Sequence, residues 1–152
     1  MANDATRTDG EPMTDADYVR LAAFRQALRS FLNFSESAAS RIGLTGQQYQ
    51  ALLVVRATPP SSERTVSELA RQLLIKHHSA VGLVDRLVDQ EYLVRKPSRK
   101  DARKVELRLT AKGTRVLGRL ADMHRHELAH AGPQLTALLA QIAHPAKPGT
   151  AP

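Results

Sequence analysis

The sequence predicts a mainly α fold (α+β class) in which helices enclose one short β-hairpin, and three observations predict it. Apolar residues recur at helical spacing over most of 14–144, the period drops to two only within 93–110, and helix start and stop residues punctuate the segments between. One domain is the natural reading of 152 residues, since domains mostly run to about 100–150. A hydrophobic fraction of 42% supports a core, and aromatics at 4% leave that core to Leu, Val, Ile and Ala.

The first helix is predicted over 14–42. Thr14 caps it, Asp15 and Asp17 suit the positive end of its dipole, and Tyr18, Leu21, Arg25, Leu28 and Leu32 mark the spacing. Phe24, Phe31 and Phe34 widen the apolar face beyond what one small core needs, which points to a second chain. Gly43 stops the helix. In LTGQQYQALLVVRA, Thr45 and Gln48 form a capping box and Leu44 with Tyr49 a hydrophobic staple. This second helix runs over 46–57 and ends before Pro59 and Pro60. A polar loop, SSER, follows. Thr65 with Glu68 repeats the start signal for a short third helix, whose inward stripe is Leu69, Ala70 and Leu73. A tight connection at 74–76 leads to a fourth helix over 77–90, with Ala80, Leu83, Val84 and Leu87 inward. Two short helices joined by a turn have the shape of a helix-turn-helix.

The alternation then changes. LVRK at 93–96 and KVELRLT at 104–110 read as two strands, the second with Val105, Leu107 and Leu109 on one side. PSRKDAR between them is polar and turn-forming. From Arg95 to Arg108 there are seven Lys or Arg against Asp101 and Glu106, a net charge of +5 in fourteen residues. Thr110 caps a fifth helix to about 131, and Pro133 opens a sixth. A helix-turn-helix followed by a β-hairpin is a winged helix. The expected organisation is a single domain over 14–144, with a DNA-binding lobe at about 45–110 and dimerisation helices at about 14–42 and 111–144. Residues 1–13 and 145–152 are expected to be disordered, being polar or Pro-rich.

Composition narrows the function. The chain carries +7 overall, yet residues 1–17 carry −4, so the rest is strongly basic. A charge run is ordinarily a solvated face, but cations held on a hairpin can track a phosphate backbone. No cysteine is present, which excludes a Cys-ligated zinc, a thiol nucleophile and a disulfide switch. No apolar run approaches the roughly 20 residues of a membrane span, and the acidic start lacks the features of a signal peptide. The expected compartment is the cytoplasm, with no membrane partner and no cofactor.

In its order of motifs the chain resembles the MarR family of bacterial transcriptional regulators. The residues that carry the resemblance are LTGQQYQALLVV, TVSELARQL, HHSAVGLVDRLVDQEYLVRK and SRKDARKVELRLTAKG, spread over about 18–139. Membership implies a non-enzymatic homodimer on a pseudo-palindromic operator, a repressor released by a small ligand. The fourth helix would enter the major groove, with Lys76, His77, His78, Ser79 and Gly82 on its reading face. Gly82 supplies no base contact, so reading falls to His77, His78 and Ser79, with Lys76 nearer a phosphate. The wing would offer Arg99, Lys100, Asp101, Arg103 and Lys104, with Asp101 orienting Arg103 toward the minor groove. Arg95, Lys96 and Arg108 are read as lesser contributors or structural, and Asp85 with Arg86 as an ion pair. Leu74 and Glu91 depart from the family, standing where glycine is common, and each is a source of a small shift in the reading helix. The resemblance also implies an effector pocket, often for aromatic acids, for which Phe34, Arg41 and Tyr49 are candidate lining.

One motif competes. HELAH at 126–130 is the H-E-x-x-H pattern of zinc metalloproteases, which puts two imidazoles on one helix face with a carboxylate between them. A protease needs a third ligand and a cleft, and downstream only His144 is offered. The remaining alternative is a zinc-responsive regulator of the same fold using His126 and His130, with Glu36 as a further acid. The preferred reading places His124, His126 and His130 on the exposed or intersubunit side of a dimerisation helix.

Overall fold

The computed structural model describes residues 12–143, so the disorder expected for 1–11 and 145–152, and His144, lie outside the described residues. The elements run α1 (Asp15–Ser40), α2 (Gly46–Ala57), α3 (Val66–Leu73), α4 (His77–Asp89), β1 (Leu93–Pro97), β2 (Val105–Leu109) and α5 (Ala111–Ala143). Two compact units divide them, residues 33–126 and the pairing of 12–32 with 127–143. Among the described residues no helix is long and apolar enough to cross a membrane.

Local chemistry sets most boundaries. Thr14 and Asp17 cap α1 reciprocally: the Asp17 amide donates to the Thr14 hydroxyl at 3.3 Å and the Thr14 amide donates to the Asp17 carboxylate at 3.0 Å. Gly43, at φ 79, turns the chain out of α1, and the Leu44 amide closes back on the Ala39 carbonyl at 3.0 Å. The α2 capping box forms as expected between Thr45 and Gln48. Thr65 caps α3, but Glu68 does not reach back to complete a box. Its carboxylate accepts instead from Arg71 at 2.6 and 2.9 Å and Gln72 at 2.7 Å, because charged and amide donors one turn ahead outcompete a single backbone N–H.

The core of the 33–126 unit is aliphatic. Leu52, Leu69, Leu83, Leu87, Leu93, Leu107 and Leu120 are almost wholly buried. In contact terms α4 packs on α3 and β1, and α2 on α3 and β2. The strands are antiparallel, with Leu93 opposite Leu109 and Arg95 opposite Leu107. The loop before α3 joins the sheet edge, since the Leu107 amide donates to the Arg64 carbonyl at 2.8 Å. Glu36 of α1 accepts from the Gly46 amide at 2.9 Å and so ties α1 to the start of α2.

Leu74 and Glu91 both adopt left-handed backbone, at φ 55 and φ 60. A non-glycine residue there costs about 1–2 kcal/mol. Burying each of Leu83 and Leu87 returns about 1.5–3 kcal/mol, so α4 packing outweighs the strain. One prediction is corrected here. The fifth and sixth helices are a single helix, with Pro133 inside it. Proline removes one donor, to the carbonyl four residues back, but its fixed φ is helical, and hydrogen-bonded turns on both sides carry the helix through.

Two substitutions should move stability in opposite directions in urea unfolding. Leu74→Gly relieves the strain at a side chain that is 92% exposed and should stabilise by about 1 kcal/mol. Gly113→Ala should destabilise by about 1–3 kcal/mol, since a Cβ there would meet the Tyr92 carbonyl oxygen at 2.1 Å.

Candidate nucleic-acid interface

The fourth helix presents two unlike faces. Ala80, Leu83, Val84 and Leu87 are buried, whereas Lys76, His77, His78 and Ser79 are exposed and Gly82 is half-buried. The first turn therefore displays polar and cationic groups on a rigid, core-anchored helix. Lys76 occupies the N-cap without a side-chain hydrogen bond, unlike Thr45 and Thr65 at the earlier helix starts. A ring nitrogen of His77 lies 3.4 Å from the Ser67 hydroxyl, a weak link across to α3.

The wing is organised around its own turn. The Ser98 amide donates to the Lys104 carbonyl at 2.8 Å and the Lys104 amide to the Asp101 carbonyl at 2.9 Å. Asp101 accepts from the Arg103 amide at 3.0 Å and from its Nε at 3.2 Å, while the Arg103 side chain stays 91% exposed. Those hydrogen bonds from Arg103 hold the Asp101 carboxyl below its ordinary range. A guanidinium is thus aimed outward with its base fixed. Two other tip cations are tied inward: Lys104 pairs with Glu63, and Lys100 donates to the Ser61 carbonyl. Glu63 raises the Lys104 amine above its ordinary value. Sequence reasoning passed over Ser61, Glu63 and Arg64 as a polar loop, and only their approach to β2 gives them a part in the wing.

Three further assignments change. Asp85 pairs not with Arg86 but with Arg95 of β1 at 2.6 Å, because strand alternation turns Arg95 toward α4. His124 is not on an exposed face. It is 6% exposed, stacks on Tyr49 at 4.3 Å, meets the edge of Phe34 at 5.5 Å and lies 2.7 Å from both the Ser35 hydroxyl and the Leu120 carbonyl oxygen. A ring whose two nitrogens both find partners can be buried without leaving an unpaired polar atom. Phe34 and Tyr49 therefore converge on His124, while Arg41 is exposed.

His126 and His130 are exposed on α5. Among the described residues no group of three or more His, Asp or Glu could hold a metal ion, and Glu36 is engaged with the Gly46 amide.

Comparison with known proteins follows the same outline. The profile of the MarR family matches residues 42–104, which span α2, the helix-turn-helix and most of the wing. No curated protein sequence matches the chain. Among solved structures, the multiple antibiotic-resistance repressor of Listeria monocytogenes is 24% identical, with 85% of this chain and 99% of that one covered and a TM-score of 0.61. AbsC of Streptomyces coelicolor, a MarR family transcriptional regulator, is 18% identical over 89% and 94% of the two chains, with a TM-score of 0.69. CouR of Rhodococcus jostii, solved with p-coumaroyl-CoA, is 20% identical over 87% and 97%, with a TM-score of 0.63.

Arg103→Gln should return the Asp101 carboxyl toward its ordinary range, followed by carbon NMR of the side-chain carboxyls across acid pH. An unmoved titration would show that the Asp101–Arg103 contact does not persist in solution. The MarR family profile thus matches residues 42–104, and along the chain the protein shares the winged helix-turn-helix fold of these solved structures.

Proposed function

We propose that the protein binds double-stranded DNA sequence-specifically, as a homodimer on a pseudo-palindromic operator, and represses transcription until a small ligand releases it. The observation that carries this reading is the pairing of an exposed, cationic α4 first turn with an outward-aimed Arg103 on the wing. In such a lobe α4 enters the major groove, and Arg103 suits the negative potential of a narrow minor groove. Lys76 and the wing cations neutralise phosphates, so affinity falls steeply as salt rises.

Exposed apolar side chains on the terminal helices support self-association. Tyr18, Val19 and Leu32 of α1 and Leu128 and Leu139 of α5 are 44–68% exposed. A second copy that covers them would set two reading helices about one duplex turn apart. For the effector, an aromatic acid is the class proposed, supported by a structural neighbour solved with p-coumaroyl-CoA.

The test is titration of one operator duplex, found by sequencing genomic fragments that the purified protein retains at physiological salt. Arg103→Gln should weaken binding about tenfold or more, a cost of about 1–3 kcal/mol, while Arg125→Gln, paired with Asp122 on α5, should change little. Equal losses at both positions would remove Arg103 from the interface. His78→Ala should cost about 1–3 kcal/mol at a single base position. Undiminished discrimination at every position would return His78 to the ordinary surface.

A further inference from the structure

On one side of the hairpin, the wing and the loop between α2 and α3 enclose a cavity of about 310 Å³. Ser62 and Arg64 line it from the loop, Arg99 and Lys100 from the wing tip, and Glu106 and Arg108 from β2. This is the hairpin face turned away from α4. Leu107 enters the core and Arg95 pairs with Asp85 of α4, so Glu106 and Arg108, its neighbours in the alternation, emerge on the other side.

The charges gathered there do not balance. Four of the lining side chains are cationic and one is a carboxylate, a formal +3 in a partly enclosed space. Three other wing cations have an acid beside them: Arg95 has Asp85, Arg103 has Asp101 and Lys104 has Glu63. In the cavity the acceptors are mostly neutral. Arg64 Nε donates to the Thr58 carbonyl at 2.8 Å, and Lys100 Nζ donates to the Ser61 carbonyl. Glu106 is shared between the Ser98 hydroxyl at 2.8 Å and Arg108 at 3.5 Å. Carbonyl oxygens orient cations but do not neutralise them, so the cavity retains an uncompensated positive potential.

We propose that this cavity binds a small, multiply charged oxyanion: a phosphate or pyrophosphate group, carried either by a free small molecule or by a nucleic-acid backbone. Guanidinium groups match the geometry of phosphate oxygens, and the volume sits at the small end of ligand sites. Glu106 acts as a built-in opponent that moderates affinity. The Ser98 hydroxyl, with Arg108 and Arg64, holds its carboxyl below the ordinary range, so it opposes an anion throughout the neutral range. The site stands whether or not the chain recognises an operator.

Pyrophosphate titrated into the full chain by calorimetry at fixed ionic strength provides the test. One binding event per protomer is expected. Glu106→Gln, which keeps the shape and an acceptor for Ser98, should bind about three- to tenfold tighter. Arg99→Gln with Lys100→Gln, both exposed, should bind about tenfold or more weakly, an effect of about 1.4 kcal/mol for each factor of ten. Arg115→Gln, exposed on α5, should match the parent. Absent binding, or equal losses in the Arg115 variant, would overturn the site. So would a Glu106→Gln chain that binds pyrophosphate no better than the parent. A parallel titration with a random duplex separates the two sources. If Glu106→Gln tightens the duplex as well, and pyrophosphate competes with it, a backbone phosphate occupies the cavity. If it tightens pyrophosphate alone, a free phosphorylated molecule does.

Discussion

Everything this molecule presents to a partner depends on the burial of one apolar stripe, that of α4. Leu83, Val84 and Leu87 lie at 1% exposure or less, seated among Leu52, Leu69, Leu93 and Leu107 from four other elements. A helix so anchored cannot roll, so its opposite face is held at a fixed angle to the wing. The same packing accounts for the strained backbone at Leu74. The chain must reverse within three residues for α3 and α4 to meet, and the reward for meeting exceeds the local penalty.

The wing is coupled to that anchor by alternation along two short strands. One side of each strand enters the core or reaches α4, through Leu93, Leu107 and the Arg95–Asp85 pair. The other side, together with the loop before α3, gathers Arg64, Arg108 and the base of the tip around Glu106. Surface ion pairs of this kind add little stability, about 0–1 kcal/mol each. Their consequence is positional. Asp101 sets the direction of Arg103, and Glu63 and Ser61 restrain Lys104 and Lys100. Among the tip cations that the sequence groups together, the structure separates Arg103, aimed outward, from Lys100 and Lys104, held against the loop.

A second polar feature lies deeper in the same unit. His124 reaches across to Ser35 and stacks on Tyr49, so α1, α2 and α5 are joined there by hydrogen bonds as well as by apolar contact. Phe34 closes the edge of that ring. The aromatic residues that suggested a ligand lining thus already share a partner inside the fold.

Short-range chemistry was legible in the sequence by itself. Thr14, Gly43, Thr45 with Gln48, and Thr65 act on backbone groups within a few residues, so their signals survive without knowledge of the fold. The α4 stripe and the alternation of β2 were legible for the same reason, since periodicity is a property of the chain. What the sequence hid was every choice between competing partners. Pro133 reads locally as a beginning, yet the helix on both sides overrides it. Asp85 turns from its neighbour Arg86 to Arg95, and His124 leaves the histidine-rich run to be buried. Arg64 becomes part of the wing only when its carbonyl meets the Leu107 amide. Such choices belong to tertiary structure, because the energy of a contact depends on which groups are brought within a few ångströms, and separation along the chain does not determine that distance.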